Sequence, residues 1–236
     1  MSVLRIAVVY PDLLGTYGDT GNGVILERRA AERGIATELL MARSSEPLPE
    51  ADLYCLGGGE DGPQVLAAER LVADGGLRRA SEAGATIFAV CAGFQIIGAS
   101  FPDAAGNRHD GVGLLDVTTT KGSGPRCVGE VAVDPDPALG LSRLSGFENH
   151  GGVSTLGEAA ALGTVVAGVG NGAGSAVEGA YRGHVLGTYL HGPVLARNPD
   201  LADLLLRWAT GSGELEVLDD AAALDLRSER LASVGC

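Results

Sequence analysis

Short apolar runs alternate with amphipathic helical stretches along the first hundred residues. The apolar runs lie at residues 4–10, 37–41, 52–56 and 86–90. Their length and composition predict β-strands. Helical patterns fill the gaps, at residues 23–33, 63–73 and 77–83. Continuous apolar strands separated by helices are typical of a parallel sheet that is covered by helices on both faces.

The pattern changes between residues 111 and 189, where short strands are joined by turns rich in Gly, Asn and Pro. Predicted strands lie at residues 114–119, 128–133, 164–168, 176–181 and 185–190. Such segments favour antiparallel or mixed pairing, and we expect them to extend the parallel sheet. A helix is predicted after residue 198, where apolar residues recur on one helical face: Leu201, Leu204, Leu205 and Trp208.

The length of 236 residues fits one α/β domain, which we place at residues 1–210. A chain of this size buries roughly 70–75 % of the surface of its unfolded form, so it needs no disulfide to hold its core. The remaining residues, 211–236, form a C-terminal tail that begins with acidic residues. We expect this tail to face a partner or to be loosely ordered.

The charge excludes some classes of partner. The chain has 17 Lys and Arg against 30 Asp and Glu, a net charge of −13 that repels nucleic acid and anionic membranes. The N-terminal apolar run, residues 6–10, is too short for a signal peptide, and no run approaches the 18 or so residues of a membrane span.

The four cysteines form no C-x-x-C pair: Cys55, Cys91, Cys127 and Cys236. We therefore expect a cytoplasmic protein without a zinc or disulfide framework.

The strongest chemical signal is a cysteine between a strand and a helix. In residues 86–98, TIFAVCAGFQIIG, an apolar strand runs into Cys91, two small residues and a helical run. Such a turn presents a nucleophile on a strained backbone, and the dipole of the helix favours a thiolate. The alternative is a small buried core residue, which most cysteines are.

A glycine-rich loop, GGG at residues 57–59, follows the third predicted strand. Its N–H groups suit an oxyanion hole, with one donor from this loop and the other from Ala92, the residue after the candidate nucleophile. A phosphate cradle and a plain tight turn are the alternatives, although no Gly-Lys-Ser/Thr follows as in a P-loop. A second loop, residues 15–23, is interpreted as a helix-capping loop beside the site, with a substrate or partner role left open.

Among the four histidines, His191 is the candidate general base. It directly follows the predicted strand 185–190, and open α/β sheets carry their functional groups at the carboxyl ends of strands. His109 and His184 lie in turn-like sequences, and His150 lies in the run ENHGG. Because a lone histidine is more often structural, the interpretation of His191 depends on its pairing with Cys91.

Together, these motifs resemble the class I glutamine amidotransferases over residues 1 to about 210. The run C-x-G-x-Q at 91–95 matches the nucleophile motif of that family. The segments DLLGTYGDTGN (12–22), GGGED (57–61) and LGTYLHGP (186–193) are similar to its cobyric-acid-synthase-like branch, and within it to glutaminase subunits of lipid II isoglutaminyl synthase. The resemblance implies a three-layer, flavodoxin-like α/β fold, with a mostly parallel central sheet extended by antiparallel strands.

The resemblance also implies the chemistry. Cys91 would attack the side-chain amide of glutamine to give a thioester and ammonia, and His191 would take and return the proton. Gly58 and Ala92 would hold the oxyanion. Substrate would be bound by Gln95 and by Arg126, whose guanidinium suits the α-carboxylate of glutamine. For Arg126 the alternative is a surface residue at a strand end.

The family resemblance further implies a partner. We expect no cofactor in this chain, because ATP and magnesium would belong to a Mur-ligase-like (MurT-like) subunit in a heterodimer. That partner would use the ammonia to amidate the D-glutamate α-carboxyl of the lipid II stem to D-isoglutamine. A split cobyrinate-type glutaminase and a catalytically silent regulatory subunit remain alternatives. A cysteine peptidase would share only the turn around Cys91.

One position departs from the family pattern. Most triad amidotransferases carry a Glu two residues after the histidine, whereas this chain has Pro193 there. The cobyric-acid-synthase-like branch commonly lacks that Glu, so the acid that orients His191 is unidentified. We expect the partner to contribute it or to order His191, with Glu148 of this chain as the alternative.

Overall fold

The computed structural model describes residues 3–236, so the first two residues of the predicted domain lie outside it. Within these residues, the strands are β1 (Leu4–Val9), β2 (Thr37–Ala42), β3 (Leu53–Leu56), β4 (Thr86–Val90), β5 (Ser100–Pro102), β6 (Arg108–Asp110), β7 (Val117–Lys121), β8 (Cys127–Pro135), β9 (Leu144–His150), β10 (Gly152–Leu156), β11 (Gly163–Ala167), β12 (Val177–Glu178), β13 (Ala180–Arg182) and β14 (Val185–Thr188). The helices are α1 (Gly21–Glu32), α2 (Asp61–Asp74), α3 (Gly76–Glu82), α4 (Ala92–Ile97), α5 (Val194–Arg197), α6 (Pro199–Thr210) and α7 (Ala221–Ser233), with a 3₁₀ turn at Pro137–Leu139.

The central sheet has six strands in the order β2-β1-β3-β4-β14-β13. All neighbouring pairs are parallel except β13 and β14. Every residue of β3 and β4 is buried, and successive side chains of a strand point to opposite faces, so both faces of the sheet are covered. Helix α6 packs on β4, and α4 packs on β4 and β14. The predicted three-layer fold with a mostly parallel sheet is thus confirmed.

The antiparallel strands mostly form separate sheets. Within residues 3–236 their orders are β10-β7-β5-β6, in which β5 and β7 pair in parallel, and β12-β11-β8-β9; only β13 is added to the central sheet. The single strand predicted at 176–181 is divided into β12 and β13 at Gly179, whose φ of 59° favours glycine. The chain leaves one sheet for another at this residue.

The structure differs from the predicted strands at two other places. In both, the residues are buried in an arrangement that the apolar pattern does not predict. The strand predicted at 114–119 begins at Val117, because the N–H groups of Leu114 and Leu115 both donate to the carbonyl of Ile97 in a buried loop. Strand β9 was not predicted, since its buried side chains include polar ones such as Glu148. Apolar pattern alone detects neither arrangement.

The tail contains α7 and is connected to the domain by ion pairs. Arg29 of α1 donates to Asp220 at 2.5 Å, and Arg227 of α7 donates to Asp200 of α6 at 2.8 Å. These pairs link the tail to α1 and α6. Its role towards a partner stays a prediction. No helix within residues 3–236 has the length and apolar character needed to cross a lipid bilayer.

The strand order places functional loops at one edge. Strand β1 lies between β2 and β3, so the connections after β1 and β3 run to opposite sides. Open α/β sheets bind ligands beyond the carboxyl ends of strands at such a switch point. The loops after β1, β3, β4 and β14 therefore meet at the edge where Cys91 and His191 lie.

Candidate active site

Cys91 lies on a strained turn between β4 and α4. Its φ of 55° and ψ of −107° are values that non-glycine residues rarely adopt, as in a nucleophile elbow. Gly93 is required two residues later, because a Cβ there would lie 2.7 Å from the Cβ of Leu56. The thiol is nearly buried, and its Sγ lies 4.0 Å from the carbonyl oxygen of Asn149. The turn expected from the sequence is present.

His191 is oriented by a carboxylate of this chain. Its Nδ1 lies 2.9 Å from Oδ2 of Asp19, and both side chains are buried. Because a carboxylate accepts, Nδ1 carries the proton in this contact. The other ring nitrogen, Nε2, is buried without a hydrogen-bond partner within residues 3–236, which leaves it for the sulfur of Cys91.

The environment favours the protonated ring of His191. Burial alone lowers the pKa of an imidazole. Here the hydrogen bond to Asp19 and the interaction with Cys91 outweigh burial and raise the pKa of His191 to about 10. The buried contact with Asp19 and the raised pKa together favour an imidazolium beside Cys91, which is a group that can donate a proton.

The expectation that the partner supplies the orienting acid is corrected by Asp19. Glu148, the alternative, accepts hydrogen bonds from the backbone N–H groups of Val169 and Gly170, each at 2.9 Å, and so is used elsewhere. Asp19 lies in the loop between β1 and α1, which sequence reasoning treated as a helix cap. Its signal was an acid in a loop that follows a parallel strand.

Of the two predicted oxyanion donors, Gly58 is already bonded within the chain. The N–H of Gly58 donates to Oδ2 of Asp19 at 2.9 Å, so it is not free to bind an oxyanion. Gly59 and Ala92 both line the cavity beside Cys91. Neither backbone N–H has an acceptor within residues 3–236. Gly59 is therefore the loop glycine whose N–H is unbonded beside Cys91, and the oxyanion role of Ala92 stays a prediction.

A cavity of about 310 Å³ opens over the nucleophile. Arg126 lines it, donating from Nε to Oδ1 of Asn149 at 2.5 Å and from Nη2 to the Asn149 carbonyl at 2.9 Å. The carbonyl that Arg126 contacts is thus the one that faces the thiol. Gln95 also lines the cavity. The structure brings both predicted substrate-binding residues to Cys91, and their binding of glutamine stays a prediction.

A buried acid that sequence reasoning missed holds the segment before His191. The carboxylate of Glu178 accepts from the N–H of Tyr189 at 2.6 Å and from the Thr188 hydroxyl at 3.0 Å. Burial raises the pKa of Glu178 to about 7. The phenol of Tyr189 in turn accepts from Nε2 of Gln95 at 3.0 Å. These bonds fix the end of β14 against the nucleophile helix.

Three other candidate groups lie apart from this arrangement: Cys55, His109 and His184. His150 lines the cavity and stacks on Tyr189. Burial raises the pKa of the Cys55 thiol to about 12, which suppresses its thiolate. His109, on β6, contacts Asp103, and His184 stacks on Trp208. Within residues 3–236, no three His, Cys, Asp or Glu side chains come together as a metal site would need.

Comparison with known proteins identifies the family. The CobB/CobQ-like glutamine amidotransferase domain matches residues 5–199. The chain belongs to this amidotransferase family. The amidotransferase is 34 % identical over 212 residues to the lipid II isoglutaminyl synthase (glutamine-hydrolyzing) subunit GatD of Staphylococcus aureus (strain N315). The aligned residues make up 89 % of this chain and 85 % of that protein. The resemblance inferred from the motifs is confirmed.

Two further comparisons agree. The GatD subunit of Streptococcus pneumoniae (strain ATCC BAA-255 / R6) is 30 % identical to the amidotransferase over 233 residues, 97 % of this chain and 89 % of that protein. A crystal structure of a glutamine amidotransferase has a TM-score of 0.60 and 20 % identity, over 87 % of this chain and 98 % of that one. At this identity the structure supports the fold alone.

Proposed function

We propose that this amidotransferase is a glutaminase subunit that hydrolyses glutamine through a thioester on Cys91. The observation that carries the proposal is the buried Asp19–His191 pair at the strained Cys91 turn, beside a cavity with two unused backbone donors. A nucleophile, a base, an orienting acid and oxyanion donors together are the requirements of acyl transfer.

The groups divide the reaction between them. The thiol of Cys91 gives its proton to His191 as its sulfur attacks the amide carbon of glutamine. The N–H groups of Gly59 and Ala92 stabilise the oxygen as it becomes negative. The C–N bond then breaks, and His191 gives its proton to the leaving nitrogen, so ammonia departs. Water adds to the thioester, and His191 accepts a proton from that water. The C–S bond then breaks, His191 passes the proton to the sulfur, and glutamate leaves with the thiol restored. Asp19 holds the ring orientation and stabilises its positive form.

The fate of the ammonia is proposed from the relatives. Both GatD proteins are subunits of lipid II isoglutaminyl synthase by name. We propose that this chain likewise forms a heterodimer with a Mur-ligase-like subunit that binds ATP and magnesium. That partner would amidate the D-glutamate α-carboxyl of the lipid II stem to D-isoglutamine, in the cytoplasm.

Two measurements test the proposal. The first is glutamate release from glutamine by the chain with its co-purified partner, which Cys91→Ala must abolish. The second is the mass of the lipid II product, with glutamine and then with ammonium chloride as the nitrogen donor. Ammonium must restore amidation in the Cys91→Ala complex. Absence of glutamate release by the unaltered complex would instead support a silent regulatory subunit.

A further inference from the structure

One acid on the wall of the active-site cavity has no partner. Asp61, in the first turn of α2, lines the cavity together with Cys91. Within residues 3–236, its carboxylate makes neither a hydrogen bond nor an ion pair in the structure. An unpaired charge that faces a ligand cavity is available for a ligand of opposite charge.

The first turn of α2 is fixed relative to the nucleophile. Gln64, three residues after Asp61 and therefore on the same helical face, is buried and also lines the cavity. Its Nε2 donates to Oε1 of Gln95 at 2.8 Å, which ties α2 to the helix that follows Cys91. On this face Gln64 is thus buried, and Asp61 is exposed to solvent.

The charges around the cavity are complementary to a zwitterion. Arg126 and Lys121 line it as cations, and Asp61 and Asp103 line it as acids. Asp103 is already engaged, since Oδ1 accepts from the N–H of Asn107 and Oδ2 from its side-chain amide. Asp61 is the cavity acid left for a substrate cation.

We infer that Asp61 binds the α-ammonium group of glutamine, while Arg126 takes the α-carboxylate. The inference rests on the proposed function, because it assigns a contact to the same substrate. A cavity of about 310 Å³ is at the small end of ligand sites and suits one free amino acid. A free amino acid carries both charges, and charge-assisted hydrogen bonds distinguish it from a neutral or singly charged amide.

The test removes the carboxylate of Asp61 from the protein and, separately, the α-amino group from the substrate. The variants are Asp61→Asn and, as a matched control, Glu69→Gln, which removes an exposed acid about 12 Å farther along α2. The substrates are L-glutamine and 4-carbamoylbutanoate, which is glutamine without its α-amino group. We expect Asp61→Asn to lower kcat/KM for glutamine about tenfold, mainly through KM, and to leave the value for the analogue unchanged. Glu69→Gln should change neither.

The preference for glutamine over the analogue is the decisive quantity. Where the analogue turns over too slowly, its inhibition constant against glutamine takes the place of kcat/KM. An equal loss for both compounds would overturn the inference, because it would show that Asp61 only stabilises the helix N-terminus. Failure of the proposed function is distinct: the unaltered chain would then hydrolyse no glutamine, whatever residue stands at position 61.

Discussion

Replacing Asp19 by Asn tests whether this chain supplies its own orienting acid. The substitution keeps the size of the side chain and removes the negative charge that lies 2.9 Å from Nδ1 of His191. An amide at this position can present N–H rather than oxygen to the ring, which favours the wrong tautomer. The backbone bond from Gly58 to the same oxygen is also weakened.

The magnitude follows from the pKa of His191. Burial lowers this pKa, and the contacts with Asp19 and Cys91 raise it, so the net rise from 6.5 to about 10 corresponds to about 5 kcal/mol in favour of the protonated ring. A hydrogen bond to a charged group contributes about 1.5–3 kcal/mol, which is the share that D19N should remove. We therefore expect kcat/KM for glutamine to fall about ten- to hundredfold.

The assay is kcat/KM for glutamate release as a function of pH. In the unaltered chain the imidazolium persists as pH rises, until it deprotonates at about 10. D19N lowers this pKa, so the alkaline decline of activity must begin at lower pH. The same sign applies to stability: the protonated ring stabilises the fold fully below pH 6.5, and that contribution is lost as pH rises through about 10.

Asp12→Asn is the matched control, since Asp12 lies in the same loop and bonds to Ser44 rather than to His191. It should leave the pH profile unchanged. An unshifted alkaline decline in D19N would refute the reasoning. Lower activity alone would not support it, because a general loss of structure also lowers activity. Addition of the partner to D19N provides a second check: full recovery would return the role of the acid to the partner.

Three further predictions follow from other contacts. Cys91→Ala should abolish glutamate release and leave the melting temperature within about 2 °C, measured by enzymatic assay and calorimetry, because only a sulfur is removed. Arg126→Ala should raise KM for glutamine about tenfold with little change in kcat, as expected for a carboxylate contact present throughout the reaction; an unchanged KM makes it a surface residue. Gly187→Ala should destabilise the fold by about 1–3 kcal/mol in urea unfolding, since its Cβ would lie 2.1 Å from the ring of Phe94, whereas Gly129→Ala meets no atom within 4 Å and should be neutral.

Local sequence was sufficient where the chemistry lies within one continuous segment. The strand, Cys91 and the following helix are neighbours in the chain, so apolar pattern and small residues predicted the strained turn directly. His191 was predicted in the same way, from its place directly after the apolar run at 185–190, of which residues 185–188 form β14. The apolar strands β1, β3 and β4 likewise specified a sheet buried on both faces, because continuous apolar runs leave neither face for water.

The tertiary structure alone decided which groups meet. Asp19 is 172 residues from His191 in the chain, and it reaches the ring because β1 and β14 end at the same edge of one sheet. That approach also engages the N–H of Gly58, which leaves the N–H of Gly59 as the loop donor that we propose for the oxyanion. A sequence shows that a loop has an acid and glycines. Strand order and burial determine which of its atoms are already bonded and which remain free for the substrate.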